Sequence, residues 1–126
     1  MRLTGAFLAN KAEIVDDMLN VEGGFWTSTT VAKGSVGIRC NCVLLCDTQP
    51  DDIGQQFGLR IDAAGPSGQV WTPAHEKNFD LTTPMKFIVA TQIALPIEPK
   101  GGRHIYSFRM EGHHERIDVP LDVFVH

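Results

Sequence analysis

Gln56-Phe57-Gly58-Leu59-Arg60-Ile61-Asp62-Ala63 sets Phe57, Leu59, Ile61 and Ala63 against Gln56, Gly58, Arg60 and Asp62 in strict alternation. A period of two marks a strand with one face buried, because successive side chains leave a pleated backbone on opposite sides. The same period recurs downstream. Phe87, Val89, Thr91, Ile93 and Leu95 alternate with Lys86, Ile88, Ala90, Gln92 and Ala94, which predicts a further strand with the first set sharing one face. Tyr106, Phe108 and Met110 alternate with Ser107, Arg109 and Glu111, and beyond Gly112-His113-His114 the series Ile117, Val119, Leu121, Val123, Val125 does so again. Two such runs around a short turn make a hairpin. Pro120 has no N–H to give to a ladder, so the last strand is expected to lie at an edge there or to bulge.

Toward the N-terminus, Leu3 to Ala9 and Met18 to Glu22 read as strands, with Asp16-Asp17 as a turn between them. Gly23-Gly24 then precedes Phe25-Trp26-Thr27-Ser28-Thr29-Thr30-Val31, whose aromatic and β-branched residues favour extended chain. A bend at the glycine pair would let the chain pass between two sheets. Val36 to Cys46 is another strand, with Ile38, Cys40, Cys42, Leu44 and Cys46 on one face. Thr48-Gln49-Pro50-Asp51-Asp52, Gly65-Pro66-Ser67-Gly68 and Pro96 to Gly102 carry turn and loop chemistry.

Nowhere do apolar residues recur at helical spacing over the ~10 or more residues a stable helix needs. Short helical turns are expected at most near Asn10 to Val15 or around Asp51 to Gln55. Eight or nine strands without crossover helices imply an all-β fold, an antiparallel β-sandwich forming a single domain over residues 1–126. The uneven strand lengths favour a sandwich over a barrel. It should not be a true immunoglobulin domain, since the inter-sheet Cys pair with an intervening Trp is missing.

The formal net charge of −4, from 11 Lys and Arg against 15 Asp and Glu, argues against a nucleic-acid partner, which needs clustered cations to displace counterions. Lys100, Arg103, Arg109 and Arg116 are interspersed with Glu98, Glu111 and Glu115 and read as a mixed solvated surface. No apolar run approaches the ~20 residues that cross a bilayer. The expectation is a soluble protein with no membrane partner, cytoplasmic or incorporated into an intracellularly assembled particle. Three cysteines on one strand, with Cys40 and Cys46 roughly 20 Å apart, suit reduced thiols in a reducing compartment.

Candidate sites are few. Cys40 and Cys42 share a strand face and invite a zinc hypothesis, but Cys46 lies too far along the strand to close a tetrahedral site, so His104 or His113 would have to contribute. Small buried core thiols are the competing reading, and no metal or cofactor is assigned. His113-His114 sits in a turn, where exposed histidines are ordinary. Ser67 lacks the flanking pattern of a nucleophile elbow. Asp47, Asp51 and Asp52 do not have the spacing of a calcium loop. Phe25, Trp26 and Trp71 are the candidates for ligand or partner contact, weighed against a role at the two ends of the core.

Leu3-Thr4-Gly5-Ala6-Phe7-Leu8-Ala9, then Ala12-Glu13 and the run Asp16-Asp17-Met18-Leu19-Asn20-Val21-Glu22-Gly23-Gly24-Phe25-Trp26, resembles the opening of a family of small bacterial β-proteins without an assigned activity. Members open with an apolar strand, an Ala-Glu pair, a turn, and a strand leading into Gly-Gly-x-Trp. The resemblance extends more loosely through Leu59 to Val70 and the final hairpin, and it implies the fold without supplying a function. Read from its residues, the chain is a non-catalytic interaction or assembly module, homo-oligomeric or part of a larger assembly, for which a structural or decorating subunit of a virion is one concrete form. Edge pairing through Val119, Val123 and Val125 would be a means of joining subunits. The alternative is a sugar or small-ligand binding domain that stacks its ligand on Trp26 or Trp71. A hydrolase ranks behind both, because no nucleophile, base and orienting group can be placed together.

Overall fold

A computed structural model describes residues 1–126 as two packed β-sheets. The strands are β1 (Arg2–Val15), β2 (Met18–Gly24), β3 (Ser28–Val31), β4 (Gly37–Asp47), β5 (Gln56–Ala64), β6 (Val70–Asp80), β7 (Phe87–Pro96), β8 (Gly102–Met110) and β9 (Ile117–Val125). One sheet has the order β2-β1-β4-β7 and the other β3-β9-β8-β5-β6. The fold is therefore an all-β sandwich of nine strands. The only helical segment is the short 3-10 turn Pro50–Asp52, and no helix is long and apolar enough to cross a membrane.

The alternating residues that define the strands also build the core. Leu59, Ile61 and Ala63 of β5, Tyr106, Phe108 and Met110 of β8, and Val119, Leu121 and Val123 of β9 join Ile38, Cys40, Cys42, Leu44 and Cys46 of β4 in one cluster of 21 buried residues between the sheets. The buried Tyr106 hydroxyl donates to Pro96 O at 2.9 Å, which satisfies its one polar group in an apolar setting.

Four differences from the periodicity reading have identifiable causes. Residues Asn10–Val15 continue β1 as strand instead of forming a helical turn, because they pair in unbroken register with Met18–Gly24. β7 changes phase: Ile88 and Ala90, not Phe87 and Val89, join Ile93 and Leu95 in the core. The register with β4 shifts between Cys40 and Cys42, whose partners are Ile93 and Ala90, so Thr91 and Gln92 together face one residue of β4. A bulge of this kind moves the following side chains to the other face.

Third, β3 pairs with β9 in parallel, the single non-antiparallel pair. The chain enters β3 from the other sheet through Phe25–Thr27, so no hairpin fixes its direction. This pairing sets Val123 opposite Thr29 and Val125 opposite Val31. The C-terminal half of β9 is thereby closed within the chain, and only the stretch around Pro120 is an edge. Fourth, β6 has weak alternation in sequence, since Trp71-Thr72-Pro73 interrupts it; its register with β5 shifts between Ile61 and Ala63.

Candidate functional site

β1 changes partner midway. Arg2–Ala9 pairs with β4, whereas Lys11–Val15 pairs with β2 alone, so the distal half of β1 and all of β2 form a hairpin arm beyond the rest of the sheet. Asp16 and Asp17 take φ of 50° and 60° at its tip. Two consecutive left-handed residues make the two-residue turn whose twist suits a hairpin, and Asp tolerates that conformation better than most side chains.

Within the arm, Ala12 opposes Val21 and Ile14 opposes Leu19, which puts four apolar residues on one face. Ala12, with Phe7, Ala9 and Val43, forms a second small buried cluster separate from the main core, and Leu19, Leu45 and Val89 pack against it. A groove of about 450 Å³ runs beside this contact, walled by Ala12 and Ile14 of the arm, Phe79 of β6, and Met85, Phe87 and Val89, with Glu13, Lys77 and Asp80 also on its lining. An adjoining hollow of about 610 Å³ shares Ile14, Met85 and Phe87 and reaches Asp17 and Lys86. The arm holds much of the exposed apolar surface: Met18 is 68 % exposed, Ile14 47 % and Val15 45 %.

The residues singled out in the sequence do not converge. Trp26 precedes β3 at one edge of the five-stranded sheet, and Trp71 lies on β6 at the other. Each is half-buried against the main core. The Trp26 indole N–H donates to Gly23 O at 2.9 Å. Phe25 is exposed and stacks on Phe7 with ring centroids 4.6 Å apart and planes 12° apart. Its φ of 57° marks the sharp bend at which the chain leaves β2 for the other sheet.

Cys40, Cys42 and Cys46 are free thiols buried on the core face of β4. A hydrogen bond with Cys40 and then burial push the Cys42 thiol well above its ordinary pKa. Burial, followed by the neighbouring Asp47 carboxylate, raises that of Cys46, whose Sγ contacts Met85 O at 3.6 Å. His113 and His114 are exposed in the loop between β8 and β9, and the His113 amide donates to Met110 O at 3.1 Å. No three His, Cys, Asp or Glu side chains come together in a geometry that could hold a metal ion. Asp52 accepts from the Met1 ammonium at 2.8 Å and from the Gln49 amide at 2.7 Å, and these contacts hold its carboxyl below the usual range.

Four polar or charged side chains are buried, Asn41, Asp52, Glu98 and His104, and the sequence marked none of them as such. Glu98, expected on a solvated surface, is buried, and its Oε2 accepts from the Ser67 amide at 2.9 Å. Asn41 is buried beside the root of the arm. Neither has a sequence signal, because each is defined by backbone groups that converge only in the fold. The three arginines do lie on a mixed surface: Arg103 pairs with Asp122 at 3.5 Å, Arg116 with Asp118 at 3.3 Å, and Arg109 with Asp62 at 3.9 Å. Compared with known proteins, the chain matches no protein-family model and no curated protein.

Proposed function

We propose that this chain is a non-catalytic protein-interaction module that works within an assembly, a homo-oligomer in its simplest form. The observation that carries the reading is the β1–β2 arm, which leaves the sandwich with Ile14, Val15 and Met18 exposed next to an apolar groove. A monomer gains little by leaving such surface wet, since burial of apolar area is worth about 25 cal/mol per Å². The buried, reduced thiols support a reducing compartment, and a subunit decorating a larger particle such as a virion would present the same arm.

Light scattering with sedimentation velocity from about 10 μM to about 1 mM tests this reading across the range of weak to moderate association. The expected result is mass that rises with concentration and falls back toward the monomer when Ile14 and Met18 are both changed to Asp. A strict monomer throughout overturns the homo-oligomeric reading.

A further inference from the structure

We infer that two copies of this chain pair antiparallel along the free edge of β2, joining their four-stranded sheets into one, with Asn20 opposite its counterpart. This deepens the assembly reading and rests on it.

Four strands terminate the two sheets, and three of them are blunted in the ways that usually prevent sheets from adding to one another. β3 is four residues long. β6 contains Pro73 and a register shift against β5. β7 is bulged at Thr91 and Gln92 and ends in Pro96. β2 has none of these features: its ladder with β1 runs without a shift from Lys11↔Glu22 to Val15↔Met18, and every β2 residue but Leu19 is exposed.

The two-residue turn fixes which backbone groups face outward. Val15 and Met18 flank it as a hydrogen-bonded pair, so Met18, Asn20 and Glu22 turn their amides and carbonyls toward β1. Leu19, Val21 and Gly23 turn theirs away. Gly23 O is taken by the Trp26 indole, whereas no turn, loop or cross-sheet bond uses the amide or carbonyl of Leu19 or Val21.

An antiparallel pairing centred on Asn20 is self-complementary. Leu19 of each copy meets Val21 of the other, so the apolar face of the arm continues across the junction. Asn20 meets Asn20, and each amide can donate and accept. Glu22, the only charged residue of β2, stands opposite Met18 and keeps Lys11 as its in-chain neighbour, so no like charges meet. Centring the pair on Val21 would instead set Leu19 against Gly23 and lose the apolar match. An edge this short makes a smaller interface than the about 1,200–2,000 Å² of stable complexes, so the dimer is expected at high concentration.

The test is sedimentation velocity on the full chain and on Val21→Pro, which removes an amide that faces outward and costs β1 no hydrogen bond. Val21→Lys serves as a second variant that blocks the edge by charge if Val21→Pro does not fold. The expected result is a dimer in the parent chain and at least tenfold weaker dimerisation in both variants, with circular dichroism unchanged. Under mild oxidation Asn20→Cys is expected to give a disulfide-linked dimer, whereas Glu13→Cys, one strand further from the junction on each copy, gives none. A dimer of undiminished affinity in the folded variants, or no cross-link at Asn20→Cys, overturns this inference and leaves the assembly reading standing. A monomer at every concentration overturns both this inference and the homo-oligomeric reading.

Discussion

The Gln92 amide donates to Asn41 Oδ1 at 2.6 Å, while Asn41 Nδ2 donates to Asn10 O at 3.2 Å. One buried side chain of β4 thus serves two irregularities: the bulge of β7, where Gln92 has a φ of 52°, and the place where β1 parts from β4 to enter the arm. An apolar residue here would leave an amide and a carbonyl without partners in a partly buried setting, each a loss of roughly 1–3 kcal/mol.

Asn41→Ala is therefore expected to destabilise the fold by about 2–4 kcal/mol, measured by urea unfolding. Hydrogen exchange should show the arm and the centre of β7 opening together. Exchange that rises in only one of the two would show that Asn41 does not couple them.

At the other end of the same hydrogen bond, Gln92 holds a left-handed conformation that glycine adopts without a Cβ clash. Gln92→Gly is expected to be neutral or stabilising by up to ~1 kcal/mol, the reverse of what glycine does elsewhere in a strand. A loss of more than that amount would show that the Gln92 side chain has a packing role the bulge does not explain.

His104 is fully buried, and the Glu98 amide donates to its Nε2 at 2.9 Å. A backbone N–H can only donate, so Nε2 is the acceptor and the proton resides on Nδ1, which donates to Gly102 O at 2.9 Å. The imidazole is in this way a strut across the Pro96–Gly102 connection. His104→Leu keeps most of the volume but strands both backbone groups, and the expected cost is about 2–5 kcal/mol, again measured by denaturant unfolding.

The Glu98 carboxyl sits below its usual range because the Ser67 hydroxyl and amide bond to its charged form. A carboxylate with a lowered folded-state pKa stabilises above its unfolded value, about 4.3, and loses that contribution as pH falls through the lower folded value. Glu98→Gln should accordingly be less stable than the parent chain between pH 5 and 7, with the gap closing as the solution is acidified below about pH 4. Asp52, held low first by the Met1 ammonium and then by the Gln49 amide, adds an acid-sensitive contribution of the same sign. Unfolding of Glu98→Gln and Asp52→Asn across this range separates the contributions, and a gap for Glu98→Gln that persists at low pH would contradict the assignment.

Most of the sandwich was legible because its strands have one oily and one wet face. The alternation at Phe57–Ala63, Tyr106–Met110 and Ile117–Val123 maps directly onto the inward positions of β5, β8 and β9. The phase of β7 was not legible, since a bulge inserts a residue without changing composition, and Asn41, which stabilises it, is an ordinary polar residue until three strands meet around it. The arm was only half legible: Asp16-Asp17 marked its turn, but nothing local in Asn10–Val15 tells that β4 ceases to pair there. Exposure of Ile14 and Met18 follows from that divergence and is invisible to a reading that gives every apolar strand residue a place inside.

Asp17 completes this turn with a φ of 60°, and glycine is the residue that two-residue hairpin turns favour at that position. Asp17→Gly is expected to stabilise the arm by about 0.5–1 kcal/mol, seen as slower exchange of the Val15 and Met18 amides, which pair across the turn. The urea midpoint of the whole chain should move less than the exchange does, because the tip lies beyond the main cluster and can open while the sandwich stays closed. An equal shift in both would mean that the arm unfolds only with the core, which would make it a rigid extension of the sheet. Either way a better-formed arm has less entropy to lose on edge pairing, so the same variant should dimerise at least as tightly as the parent chain.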